Sequence, residues 1–272
     1  MWFGSYPQSE VTEKDGAIYN ALKNATGWDS NNDIKIGNTK YRRLKGEDAT
    51  SHSSSSDCYN WNNDYNTYHY FKYEPIKWRV LSVEGNDAFL LADVALDDQK
   101  YNLNRKSITW ETSSIRSWLN GYGASANEPQ TDYSYKNFLN AAFSPEEKNA
   151  IKTTNVINDN NISYGTAGGN TTSDKVFLLS ESEVYHTDTA AKYGFTKKNS
   201  IYDEENSIYN SIFDEAKRNR CSTYAYAMGI CRHNSTSASY KKYNGNIEWW
   251  LRSPGYDSKL TAVVGEDGKV YR

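Results

Sequence analysis

The sequence predicts an α+β fold in which short central helices accompany a mainly antiparallel sheet joining N- and C-terminal strands. Strand signals separated by tight turns gather toward the two ends of the chain, and short capped helical patterns lie between them. No segment recurs at a period of about 20 to 50 residues, so a solenoid is excluded. The 272 residues read as a single domain, 1–272, with a polar inserted excursion at about 29–70.

The opening MWFGSYPQSEV reads as a short strand ended by Pro7. In TEKDGAIYNALKNATG, Ile18, Leu22 and Ala25 fall at helical spacing, with Gly27 as the stop. From Asp29 to about Tyr70 apolar periodicity is lost, and SHSSSSD and NWNNDYNTYHYF mark a long surface loop with short strands at most. Ile76, Trp78 and Val80 then alternate, EGND supplies a turn, and Phe89 to Leu91 begin the return strand of a hairpin. Ile115, Trp118 and Leu119 share a helix face that Asn120-Gly121 ends. In FSPEEKNAI, Ser144 caps a helix, Pro145 takes its first position and Glu147 completes a capping box. DKVFLLSESEVY reads as a buried strand entering another helix, with Ser180 and Glu183 spaced as a second box. At the end, NIEWWLRS, LTAVV and KVYR are strands joined by PGYD and GEDG turns.

Only 37% of the residues are hydrophobic, yet Tyr alone occurs 23 times, so aromatic rings must supply much of the buried area. That count suits half-exposed strands, and it equally suits a recognition surface built from Tyr, Ser, Gly and Asn. A net charge of −3 gives no electrostatic footprint for nucleic acid. No apolar run approaches the roughly 20 residues that cross a bilayer, and the first residues lack the basic and apolar regions of a signal peptide. Cys58, Cys221 and Cys231 form neither a C-x-x-C pair nor a zinc spacing, and spacing alone leaves a Cys221–Cys231 bridge open.

The usual chemical signatures are missing. There is no G-x-S-x-G, H-E-x-x-H or phosphate-binding loop, and His52, His69, His186 and His233 lie far apart in the sequence. DSNND from Asp29 starts like a calcium loop without its Gly or distal Glu. Glu181 and Glu183 sit at a helix start, where capping outweighs a catalytic carboxylate pair. No metal and no cofactor are expected.

FGSYPQSEV, YEPIKWRVL, TWETSSIRSWLN, FSPEEKNAI, DKVFLLSESEV, YAYAMG and WWLRSPG occur in that order. The series resembles a bacterial and phage domain family of uncharacterised function marked by its W-W-L-R-S-P-G box, over Trp2 to about Arg272. That family is similar in turn to C-type-lectin-like domains, the group that includes formylglycine-generating enzymes and the variable proteins of diversity-generating retroelements. The resemblance implies a lectin-like α+β frame whose late strands and loops present a binding face. In retroelement variable proteins the stretch after the aromatic-arginine box is rewritten, and SPGYDSKLTAVVGEDGKVYR is the matching stretch here. NEPQ (Asn127 to Gln130) and WNND (Trp61 to Asp64) are near misses to the sugar-binding calcium motifs of such lectins, in the wrong order. Cys221 and Cys231 lack the close spacing and flanks of the formylglycine-generating pair.

The expected ligand-contacting residues are Tyr240, Tyr243, Asn244, Asn246, Trp249, Tyr256, Asp257, Ser258, Lys259, Thr261, Glu266, Asp267 and Tyr271. Trp250, Arg252, Pro254 and Gly255 are the expected frame beneath them, with Trp250 and Arg252 in the core. Arg252 offers a rigid fork of donors suited to loop carbonyls or a carboxylate, and a firm frame tolerates change in the loops it carries. The partner expected is a protein or glycan on a target cell or virion, without nucleic acid or membrane insertion, at an extracellular or particle surface. An oxidoreductase of the formylglycine-generating kind and a spacer within a larger surface protein are the alternatives.

Overall fold

The computed structural model describes residues 1–14, 16–51, 53–61, 64–185, 187–195, 202–203, 208–209 and 216–272. Along the chain it contains β1 (Trp2–Glu10), α1 (Ala17–Lys23), β2 (Asp33–Ile36), β3 (Thr39–Leu44), β4 (His69–Glu84) and β5 (Asp87–Ala92). Next come α2 (Ser114–Asn120), α3 (Phe138–Ala142), α4 (Pro145–Ala150), β6 (Thr154–Val156), β7 (Thr172–Asp174), α5 (Glu181–Val184) and α6 (Asp188–Lys192). The remainder holds β8 (Tyr202–Asp203), β9 (Ile208–Tyr209), α7 (Thr223–Met228), β10 (Trp249–Pro254), β11 (Thr261–Val264) and β12 (Val270–Tyr271). Helices and antiparallel sheets together make this an α+β chain. It divides into two compact units, Met1–Trp78 with Ala92–Gln99 and Arg220–Ile247, and Arg79–Leu91 with Lys100–Asn219 and Glu248–Arg272.

In the first unit β1 pairs antiparallel with β4, β4 with β3 and β3 with β2. Pro7 does not end β1. It lies opposite Tyr73, and a register shift between Pro7 and Ser9 absorbs the missing backbone donor. Leu22 of α1 packs with Tyr41 and Tyr70, and Tyr19, Trp28 and Ile34 flank them. The polar stretch 29–70 thus supplies β2, β3 and the buried Tyr41, Leu44 and Trp61. Its core residues in β3 are three positions apart and separated by two arginines, which hides the strand from a period-two reading. Arg42 reaches Asp33 through two bonds, Nε to Oδ1 at 2.7 Å and Nη2 to Oδ2 at 2.9 Å. The Tyr73 hydroxyl also donates to Asp33, at 2.8 Å.

The cysteines pair differently from the sequence reading. Cys58 is bonded to Cys231 across 173 positions, and Cys221 is a free thiol. The fold brings the Cys58 and Cys231 Cα atoms to 4.2 Å, a proximity that separation along the chain cannot reveal.

In the second unit β10, β11 and β12 form an antiparallel meander. Leu251, Ala262 and Val264 of these strands bury against Leu179, Val184, Tyr185 and Leu81. The expected sheet linking N- and C-terminal strands is not formed among the described residues. β1 lies in the sheet with β4, whereas β10 to β12 make a sheet of their own. The hairpin of β4 and β5 is present, but its alternation changes phase: Val80 is exposed and Leu81 buried.

The caps follow the sequence closely. Ser113 caps α2 and Gly121, at φ 73°, ends it. Ser144 with Glu147 and Ser180 with Glu183 form complete capping boxes on α4 and α5. Residues 175–179, expected as a strand, join no ladder. The Leu178 and Leu179 carbonyls are used instead by Arg252, and the Val176 carbonyl by Asn120 Nδ2. Among the described residues no helix is long and apolar enough to cross a membrane.

Candidate binding surface

The frame of the candidate surface is β10. Neighbouring strand positions face opposite sides of a sheet, and Trp249 and Trp250 obey this with roles the reverse of those expected. Trp249 packs on the core and its Nε1 donates to the Lys217 carbonyl at 3.0 Å. Trp250, expected in the core, is 38% exposed, with the Tyr101 ring edge-on at 6.3 Å. Arg252 is buried. Its Nη1 donates to Glu183 Oε2 at 2.5 Å and to the Leu178 carbonyl at 2.8 Å, and its Nη2 donates to the Ile157 carbonyl at 3.1 Å. One guanidinium therefore ties β10 to the start of α5 and to two loops. Asn161 Nδ2 adds a buried bond to the Pro254 carbonyl at 2.8 Å.

The chain leaves this frame in a turn. Gly255 N–H donates to the Leu260 carbonyl at 2.8 Å, and Lys259 N–H donates to Asp257 Oδ1, also at 2.8 Å. Tyr256, Asp257, Ser258 and Lys259 are exposed, while Pro254 and Gly255 are buried. Two further loops meet the turn. Ile108 N–H donates to the Ser258 carbonyl at 3.0 Å, the Ser107 and Ser258 hydroxyls lie 2.8 Å apart, and Thr166 Oγ1 donates to the Tyr256 carbonyl at 3.2 Å. The Tyr164 ring stands edge-on to Tyr256 at 6.1 Å. Asn161 Oδ1 shapes that neighbouring loop by accepting from the Ser163 and Tyr164 N–H groups, each at 3.0 Å. Gly168 is required beneath it, since a Cβ there would stand 2.2 Å from the Asp159 carbonyl oxygen.

Residues 85–272 match the family described as "Domain of unknown function (DUF6273)", a span of more than half the chain. The chain belongs to the DUF6273 family. No curated protein and no solved structure matches it.

Within the part matched to DUF6273, several residues expected at the ligand serve the fold instead. Thr261 Oγ1 donates to the Leu251 and Ser253 carbonyls at 2.7 and 2.8 Å. Asp267 is buried and accepts from Lys269 N–H and the Tyr271 hydroxyl, each at 3.0 Å. Tyr243 and Asn246 are buried too, and Asn244 clamps Ser235 through both ends of its amide, at 2.8 and 3.1 Å. Tyr240 is exposed. Residues 240–246 belong to the first unit and the 256–259 turn to the second. Glu266 is half-buried, near enough to Glu248 to help burial raise that carboxyl. Tyr271 is exposed at its edge, and burial of its hydroxyl followed by the Asp267 charge holds its pKa above the usual phenol range.

The sequence reading missed Tyr164 and Ile162, both exposed in the loop against Tyr256. The Asn-rich, Gly-rich composition of residues 158–169 signalled a shaped loop, but nothing in it placed that loop beside the final turn. His52 and His186, and Asn62 and Asn63 of the WNND segment, lie outside the described residues.

Proposed function

We propose that this DUF6273 chain is a ligand-binding domain that recognises a protein or glycan on a target cell or virion through the 256–259 turn and its flanking loops. One contrast carries the reading: Arg252, Pro254 and Gly255 are buried, whereas the four residues that follow are exposed beside exposed Tyr164 and Ile162. Tyr rings present large contact areas at small entropic cost, and Ser, Asp and Lys add adaptable hydrogen bonds. A surface held by backbone bonds and by Arg252 has already lost much of the freedom that binding would remove.

Within this reading the domain is a C-type-lectin-like variable protein of the retroelement kind and performs no chemistry. Two features support it: the resemblance of the W-W-L-R-S-P-G box, and the exposed side chains directly after that box. Tyr256, Asp257, Ser258 and Lys259 are exposed, and the bonds of the Asp257 and Ser258 side chains to Lys259 N–H and the Ser107 hydroxyl are exposed as well. The oxidoreductase alternative loses support because Cys231 is bonded to Cys58 and not free beside Cys221. That disulfide also favours a location outside the reducing cytoplasm, at a cell or particle surface.

The test compares the parent with Tyr256→Ala/Tyr164→Ala for binding to panels of bacterial cells, virions and immobilised glycans. The double variant is expected to bind at least about tenfold more weakly, with an unchanged circular dichroism spectrum. Equal binding by parent and variant to the same target would refute the assignment of this surface.

A further inference from the structure

The first unit holds a second group of polar side chains that this surface does not use. A hollow of about 80 Å³ lies where β1 ends and β4 begins, lined by Glu10, Val11, Thr12, Lys14, Tyr19 and His69. A hollow of this size suits the end of a flexible chain.

Its polar wall is fixed in place. Glu10 Oε1 accepts from the Tyr59 hydroxyl at 2.8 Å and lies 2.7 Å from His69 Nδ1. The donors are themselves held by rings: Tyr59 stands edge-on to Tyr226 at 5.4 Å, and His69 edge-on to Trp61 at 4.8 Å. Among the described residues, the hydrogen bonds to the Glu10 side chain both fall on Oε1, which leaves Oε2 with acceptor capacity toward them. The Glu10 side chain is only 14% exposed, so this oxygen faces less water than a surface carboxylate would. Among the described residues Lys14 makes no ion pair with Glu10, and its Nζ sits 3.7 Å from Asp64. Tyr19 supplies an aromatic wall, held edge-on to Tyr70 at 5.4 Å. A divalent ion is poorly served: among the described residues no three His, Cys, Asp or Glu side chains stand together as ligands.

We propose that this hollow takes a primary ammonium group on a short alkyl stem, with Glu10 Oε2 as its counter-ion and Val11 and Tyr19 covering the methylenes. A carboxylate held on one oxygen and open on the other provides a charge-assisted acceptor, and an aromatic wall favours a cation over a neutral isostere.

The test is an NMR titration of the intact chain with ethylammonium chloride, following the His69 Hε1 resonance, which is identified by its loss in His69→Gln. Ethanol serves as the neutral probe and tetramethylammonium as the cation without donors. The expected result is a saturable shift with ethylammonium alone, with a roughly millimolar midpoint for so small a ligand. Glu10→Gln keeps an acceptor oxygen for Tyr59 and His69 while removing the charge, and should weaken binding at least about tenfold. Tyr19→Leu lies away from those hydrogen bonds and gives an independent arm, with binding about threefold weaker. An equal response to ethanol, no saturable response to ethylammonium, or an unaltered midpoint in both variants would overturn the proposal. Comparing an Nα-acetyl-lysine amide with ethanolamine then separates a lysine-bearing protein from a free small amine as the source.

Discussion

Replacing Arg252 by Met tests the claim that one guanidinium holds the candidate surface in place within the second unit. Met keeps much of the apolar stem and deletes every donor. Breaking a buried ion pair by removing one partner costs about 3–5 kcal/mol. Two features place this site in the lower half of that range. The Glu183 side chain is 17% exposed and keeps its capping bond from Ser180 N–H at 2.7 Å, so it is not left wholly unanswered. Ile157 is 62% exposed and Leu178 half-buried, so water is nearer at hand to replace the donor lost at Ile157 than at Leu178. The expected loss is therefore about 3–4 kcal/mol, or about 10 °C in midpoint for a chain of this size. Urea unfolding followed by circular dichroism measures it, and a cycle with Glu183→Gln isolates the pair, for which a coupling of about 1–2 kcal/mol is expected. A loss below about 1 kcal/mol for Arg252→Met, or no coupling to Glu183, would show that the surface is held by the surrounding packing and that the reasoning from the guanidinium is mistaken.

Two further outcomes follow from the first unit. The Cys58–Cys231 bond spans 173 positions, so chain entropy puts its contribution at about 5 kcal/mol; reduction, or Cys58→Ser, should lower the thermal midpoint sharply, while Cys221→Ser shifts stability by less than about 1 kcal/mol. A count other than one reactive thiol in the unfolded, unreduced protein would contradict that pairing. Burial pushes the Asp97 carboxyl up to about 6 from 3.8, against the opposing effects of the Tyr6 hydroxyl bond and Arg42. The raised folded-state value means that the contribution is present in full below about pH 4 and is lost as pH rises through about 6. The shift corresponds to stability on the order of 3 kcal/mol. Asp97→Asn keeps an acceptor for Tyr6 and should flatten that decline in denaturant titrations between pH 4 and 8; a parallel decline in parent and variant would exclude Asp97 as its source.

What could be read from the sequence was local. The capping boxes at Ser144 and Ser180, the glycine stop at Gly121, the closing meander and the exposed turn after Pro254 each depend on residues a few positions apart, and short-range backbone chemistry decides them. Tertiary structure decided what long-range contact controls. It chose Cys58 over Cys221 as the partner of Cys231, and it turned Trp249 inward and Trp250 outward. It placed Tyr41 and Trp61, from the most polar part of the chain, in the interior. It also separated β1 from the C-terminal sheet and set Tyr164 against Tyr256. Alternation along a strand says that two faces differ, but not which face the rest of the chain will cover. That choice is made by burial against segments tens of residues away.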